Sequence, residues 1–270
     1  MNTKMKITIA VIAVIIMLGA LLLLLPIEKK RNMVEKYGHI ITDADTDEKA
    51  KYIVEHIEEY PDYILQMYYL DDGYIDFVYN YPEHKNDYDT MKYTDEEINS
   101  DSAPKLYMYD KRWCYERIGD NFIRTNGCMA VSLTMAYIGL YHKDDIDPKK
   151  IADIAKECDG LAFFGGISDE HISDIIERLG IKIVTHYYDV KNGEKIENDK
   201  TIITNILDNG GIPILGMYGE TFGSHAVVVS GYTDEGLIIN DPASEEKSNK
   251  IWSFESIAPE ICYVWELYKE

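Results

Sequence analysis

Among four cysteines, at 114, 128, 158 and 262, Cys128 has the neighbours that chemistry needs. It follows Asn126-Gly127 and leads Met-Ala-Val-Ser-Leu-Thr-Met135, so it stands after a glycine turn and at the start of a predicted helix. A helix N-terminus favours a thiolate and lowers the cysteine pKa. Its free amides can also donate to a developing oxyanion. Two further segments supply a base and an acid. Gly223-Ser-His225-Ala-Val-Val-Val-Ser-Gly231 sets a histidine at the head of a buried strand, and Ile238-Ile-Asn-Asp241-Pro242 sets an acid at the end of the next one. The start of one hairpin strand lies near the end of its partner. Asp241 can therefore reach the His225 imidazole and fix its tautomer while the other ring nitrogen faces Cys128. Singly, each residue has an ordinary role: a buried thiol, a structural histidine, a turn. Their order and their placement on helix, strand and strand are the specific signal.

The elements that must position these groups follow from periodicity. Helices are expected from about Cys128 to Leu140, Pro148 to Cys158, Ser168 to Leu179 and Thr201 to Asn209, with strands over Ile181–Tyr188, Ile212–Met217, Ala226–Tyr232 and Leu237–Asn240. Thr-Asp-Glu-Gly joins the last two as a hairpin turn. Helices first and an antiparallel sheet later read as an α+β domain over residues 106–270. Residues 32–105 form a juxtamembrane region. It has a helix from Asp47 to Gln66 capped by Thr46, and eight tyrosines between 52 and 81 expected to pack against the following domain. A polar, acidic linker or surface loop runs from His84 to Ala103.

Residues 1–31 read as an N-terminal membrane anchor. Ile7 to Leu25 carries no charge, extends to Ile27 through Pro26, and is long enough to span a bilayer. The exit Leu-Leu-Leu-Pro-Ile lacks the small-x-small pattern of a cleaved signal, so residues 7–27 are expected to stay as a single-pass anchor. Basic residues flank both ends; the short N-terminal stub is placed inside, which puts the C-terminal domain outside the cell membrane. Net charge is −21, and removing the five Lys/Arg and one acid of residues 1–31 leaves −25 for the rest. That surface repels phosphate backbones and excludes nucleic acid as a partner class. No CxxC and no Cys/His zinc spacing occurs, so the cysteines are read as free thiols or at most two bridges. Asp43, Asp45 and Asp47 imitate a calcium loop, but Glu48 stands where glycine is needed and Val54 where the bidentate acid is needed. No metal or cofactor is implied.

Met108-Tyr-Asp110-Lys-Arg112-Trp113, Gly127-Cys128 through Ser132-Leu133-Thr-Met135, Ser224-His225-Ala226 and Asn240-Asp241-Pro242 together resemble the bacteriocin-processing-type cysteine peptidases, in the exported branch not fused to transporters. Gly165-Gly166-Ile167-Ser168 is similar to that family's Gly-Thr-Ser turn, and Ile251-Trp252-Ser253-Phe254 to its closing strand; the likeness spans roughly residues 50–270. The resemblance implies a papain-like fold, a peptide or protein substrate, and Cys128 as nucleophile, His225 as general base and Asp241 as orienting acid. Three positions depart from the pattern. Met108 replaces the glutamine that supplies the oxyanion hole's side-chain donor, and a thioether donates nothing. Met129 and Ala226 replace the usual Gly and Phe. Asn121, Asn126 and Tyr109 are the candidates to supply another donor. The expectation is a membrane-anchored, extracytoplasmic cysteine peptidase or thiol amide hydrolase; the alternative is a degenerate peptide-binding or scaffolding homologue.

Overall fold

The computed structural model describes residues 37–38, 40, 42–69, 74–84, 93–163, 165–189 and 200–270. The expected anchor, residues 7–27, lies outside them. Among the described residues no helix is long and apolar enough to cross a membrane. The chain divides into two units, Met1–Asp87 and Tyr88–Glu270.

In the first unit the expected continuous helix is broken into pieces: Glu48–Glu55, a 3-10 turn at Ile57–Glu59, Asp62–Leu65 and a 3-10 turn at Gln66–Tyr69. Pro61 causes the break, because it lacks an N–H and drives Tyr60 to extended geometry (φ −107°, ψ 120°). The cap is Asp47 rather than Thr46. The Asp47 carboxylate accepts from the amides of Lys49 and Ala50, while the Thr46 hydroxyl donates to the Asp43 carbonyl. The tyrosines pair within this unit. Tyr60 donates to the Tyr79 carbonyl, the Tyr63 and Tyr81 hydroxyls lie 3.0 Å apart, and the Tyr52 and Tyr79 rings meet edge to face.

The second unit begins earlier than its expected boundary at residue 106. Residues 93–103 are part of it rather than a linker: Tyr93 and Ala103 are buried, and Thr94 and Glu97 form a reciprocal capping box on helix Asp95–Ile98. Arg112 ties this segment in through two hydrogen bonds to Glu97, with further bonds to Asp110, and its guanidinium lies over the Trp113 ring at 4.5 Å.

Two short strands, β1 (Arg117–Ile118) and β2 (Asn121–Phe122), pair and lead into helix Cys128–Tyr141. Six antiparallel strands form the main sheet: β3 (Ile181–Tyr187), β4 (Ile212–Gly219), β5 (Gly223–Tyr232), β6 (Leu237–Asn240), β7 (Ile251–Trp252) and β8 (Ile261–Lys269), in the order β3-β8-β4-β5-β6-β7. Both faces are covered, so β4 is apolar along most of its length instead of alternating. Ile214, Ala226, Val228, Trp265 and Leu267 belong to the core around Cys128–Tyr141. Leu215, Met217, Val227, Val229 and Val264 belong to a second core with Ile203 and Ile206 of helix Lys200–Asp208. The domain is thus α+β.

Further details of the second unit differ from expectation. Ile251–Phe254 does not close the sheet: only Ile251–Trp252 is extended, at an edge, and Phe254 opens a helical turn. The strand between β3 and β4 is β8, which the sequence reading did not assign. The helix expected from Ser168 starts at Ile172, after a 3-10 turn over Asp169–His171.

Candidate active site

Helix Cys128–Tyr141 is buried on almost every side from Met129 to Ile138, which fixes its axis against the sheet. Its start is equally constrained. Gly127 precedes Cys128 because a Cβ there would sit 2.6 Å from the Ile123 carbonyl oxygen, so only glycine lets the Ile123–Asn126 turn close against the helix. Cys128 is thereby held at the first helical position, partly exposed. The first amides of the helix have no carbonyl within it to bond.

Across from it, β5 carries His225. Val228 pairs with Asn240, so Asp241 falls just beyond β6, opposite Val227 and on the face of His225. The side chains meet there: His225 Nε2 to Asp241 Oδ1 is 2.7 Å. With Nε2 so engaged, Nδ1 is the ring nitrogen left for the sulfur, and the Cys128 thiol is hydrogen-bonded to His225. The amides of Ala226 and Met129 also donate to the sulfur. The structure thus brings Cys128, His225 and Asp241 into one hydrogen-bonded chain.

The electrostatics follow from these contacts. Burial pushes the Cys128 thiol up, but the His225 hydrogen bond and charge, with the two amides, outweigh it and hold it below the ordinary thiol range. Burial pulls the His225 imidazole down, yet Asp241 and the Cys128 sulfur raise it to about 9. The favoured state is a thiolate beside an imidazolium. Cys114 is the contrast: burial pushes its thiol up to about 12. All four cysteines are free thiols. Among the described residues no group of His, Cys, Asp or Glu could hold a metal ion.

Asp241 is completely buried and clamped through its backbone. Its amide donates to Ser248 Oγ at 2.8 Å, the Ser248 hydroxyl donates back to its carbonyl at 3.1 Å, and the Ala243 amide donates to Oδ1 at 2.8 Å. The sequence reading missed Ser248. Its signal was an acid-Pro turn followed by Ser244, whose hydroxyl caps the short helix Glu245–Ser248.

Met108 is buried in the core against which Cys128 packs, and its amide donates to the Pro242 carbonyl at 2.7 Å. The residue is therefore held beside Asp241-Pro242. Of the three alternative donors, the Tyr109 oxygen accepts from the Glu245 amide. Asn121 and Asn126 lie against the Gly165–Gly166 turn, where a Cβ on Gly165 would sit 2.1 Å from Asn121 Nδ2 and 3.2 Å from Asn126 Cγ. The same turn holds Phe163 almost fully exposed.

A family model described as Peptidase_C39 like matches residues 109–270. The match leaves out the Phe77–Pro82 stretch and begins one residue after Met108. Two solved structures are similar at 17% identity. The peptidase domain of Streptococcus ComA, a bifunctional ABC transporter involved in a quorum sensing pathway, is covered to 93%, against 54% of this chain, with a TM-score of 0.40. A C39-like peptidase from Bacillus anthracis is covered to 90%, against 54% of this chain, with a TM-score of 0.33. No curated protein matches.

Proposed function

The chain belongs to the Peptidase_C39-like family, and on that premise we propose that it is a cysteine peptidase with Cys128 as nucleophile, His225 as base and acid, and Asp241 as orienting carboxylate. The observation that carries this is a thiol at the start of a buried helix, its pKa lowered by His225, whose Nε2 lies 2.7 Å from the fully buried Asp241. The thiolate attacks a peptide carbonyl and forms a C–S bond. His225 gives its Nδ1 proton to the leaving amine as the C–N bond breaks. The neutral imidazole then takes a proton from water, whose oxygen attacks the thioester. The acid leaves, and the proton returns the site to thiolate and imidazolium. Asp241 holds Nε2–H throughout, so Nδ1 stays aimed at the sulfur. The oxyanion meets the Cys128 amide at the head of the helix.

Residues 7–27 are proposed as a single-pass anchor with the peptidase domain outside the membrane, as in the exported branch that the motifs resemble. The substrate is then an extracytoplasmic peptide or protein. Met108 favours a second function, a peptide-binding homologue that has lost turnover, because a buried thioether stands where the family pattern has an amide donor.

A thiol-directed peptidyl vinyl sulfone applied to the full-length chain in detergent separates the two. Wild type is expected to be labelled at Cys128, with loss of labelling in Cys128→Ala and a drop of about 10² or more in His225→Ala. Labelling of Cys128 no faster than of Cys158 or Cys262 would leave the binding function in its place.

A further inference from the structure

One oxygen of the buried acid is bare. Asp241 Oδ1 accepts from His225 and Ala243, whereas Oδ2 is buried with no hydrogen-bond partner. Beyond the His225 ring itself, Lys247 sets its Nζ 4.0 Å from Oδ2. We propose that Lys247 is a positioning residue: its ammonium faces the bare oxygen and holds Asp241 in the pose that keeps His225 aimed at Cys128. The inference rests on the function proposed above.

A buried carboxylate oxygen is costly unless a donor or a cation compensates it. Here Oδ1 has two donors and Oδ2 none, so Oδ2 is left to a nearby charge. Lys247 is fixed to supply it. Helix Glu245–Ser248 carries it, with Ser248 holding both backbone groups of Asp241 and the Lys247 amide capped by Ser244. Its Nζ donates to the Thr221 carbonyl at 2.7 Å and lies 4.9 Å from the Phe222 ring centroid. Thr221 and Phe222 form the turn between β4 and β5, one strand start away from His225, so a single side chain links that turn to the acid. The turn is held from its other side by Glu260, whose carboxylate accepts the Thr221 and Phe222 amides at 2.9 and 3.1 Å.

The charged and titratable groups around this pair are few. His225 faces Asp241 from β5, and Tyr107, hydrogen-bonded to Ser248, feels its charge from the Leu106–Asp110 segment. Glu260 is the second carboxylate near Lys247: burial pushes it up, while Thr221, Phe222 and the Lys247 charge hold it below the usual range. Lys247 thus serves two anions, and only Asp241 is without a donor on one oxygen.

The sign of the effect is definite. A cation beside Asp241 stabilises the thiolate and opposes the imidazolium, so its removal raises both pKa values. Lys247→Met keeps the stem that packs on Phe222 and removes the charge; Lys247→Arg restores it. The readout is iodoacetamide alkylation of Cys128 against pH on the full-length chain, with an NMR titration of His225 and a melting curve for each variant. In Lys247→Met, the acid limb of alkylation and the His225 titration are both expected to move to higher pH by roughly 0.5–1 unit, for a charge several ångströms away in a partly screened site. Lys247→Arg is expected to return both to the wild-type positions. Unmoved limbs in Lys247→Met overturn the proposal, whether or not the melting temperature falls; a fall alone means that Lys247 only braces the turn. Ordinary thiol behaviour of wild-type Cys128 would sink the peptidase function instead. The His225 titration in Cys128→Ser, with and without Lys247→Met, then decides the role of Lys247 by itself. Should Lys247→Met fail to fold, Lys247→Gln, which can still donate to Thr221, carries the same measurement.

Discussion

Between pH 6.5 and about 9, wherever the folded Cys128 thiol is ionised, the Cys128–His225 pair should add no pH dependence to folding stability, and Cys128→Ser should create one. The raised imidazole contributes stability that is complete below 6.5, its unfolded value, and is lost as pH rises through about 9. The lowered thiol does the reverse: its contribution is present above 9.0, its unfolded value, and is lost as pH falls through the folded value. Where the folded thiol is already ionised, and at pH between 6.5 and about 9, the folded site holds one proton, on the imidazole, and the unfolded chain also holds one, on the thiol. Equal proton counts mean zero slope. In Cys128→Ser the unfolded chain loses that proton while His225, still bonded to Asp241, retains its own. Stability then falls with pH by up to about 1.4 kcal/mol per unit. Without the sulfur His225 titrates somewhere below 9, so the total loss across the window should be about 1–2 kcal/mol. Guanidinium unfolding of the full-length chain in detergent, followed by tryptophan fluorescence, reads this directly, because Trp113, Trp252 and Trp265 all lie in the second unit and are buried. Adding Asp241→Asn to Cys128→Ser should flatten the curve again. Parallel pH curves for wild type and Cys128→Ser would refute the thiolate–imidazolium pair.

Met108→Gln should raise the acylation rate of Cys128, by up to about 10²–10³ if the amide reaches the oxyanion; the check is the single-turnover rate with a peptide thioester, with no change expected if Asn121 or Asn126 already donates. Gly165→Ala should destabilise the second unit by about 1–3 kcal/mol and slow acylation, since φ is 93° there and the new methyl meets Asn121; denaturant midpoints and Cys128 labelling rates read both effects. Deletion of residues 1–31 should leave a monodisperse chain without detergent, because −25 of net charge remains and the long apolar run is gone; sedimentation with membranes checks it. Protease accessibility in intact cells tests the outward orientation of the domain.

Local pattern carried a great deal. The helix headed by Cys128 and the hairpin that joins His225 to Asp241 follow from short-range periodicity and a four-residue turn, which depend on neighbours in the chain. So does the α+β class, since element type needs only period and length. Other features were decided by partners distant in sequence. β8 was passed over although Ile261, Tyr263, Val264, Trp265 and Leu267 suit a strand, because its place between β3 and β4 depends on pairings across about 44 to 88 residues. Residues 93–103 look like a linker until Arg112 reaches Glu97 and Tyr93. The approach of Lys247 to the bare oxygen of Asp241 could not be read from spacing either. Six residues apart in the chain, they meet because Ser248 folds the short helix back onto Asp241 and the β4–β5 turn holds the ammonium from the other side. Sequence sets which groups can bear charge and which segments can become helix or strand. Which charge is buried beside which is a matter of long-range packing, because desolvation and Coulomb energy depend on distances that only the assembled sheet and helices define.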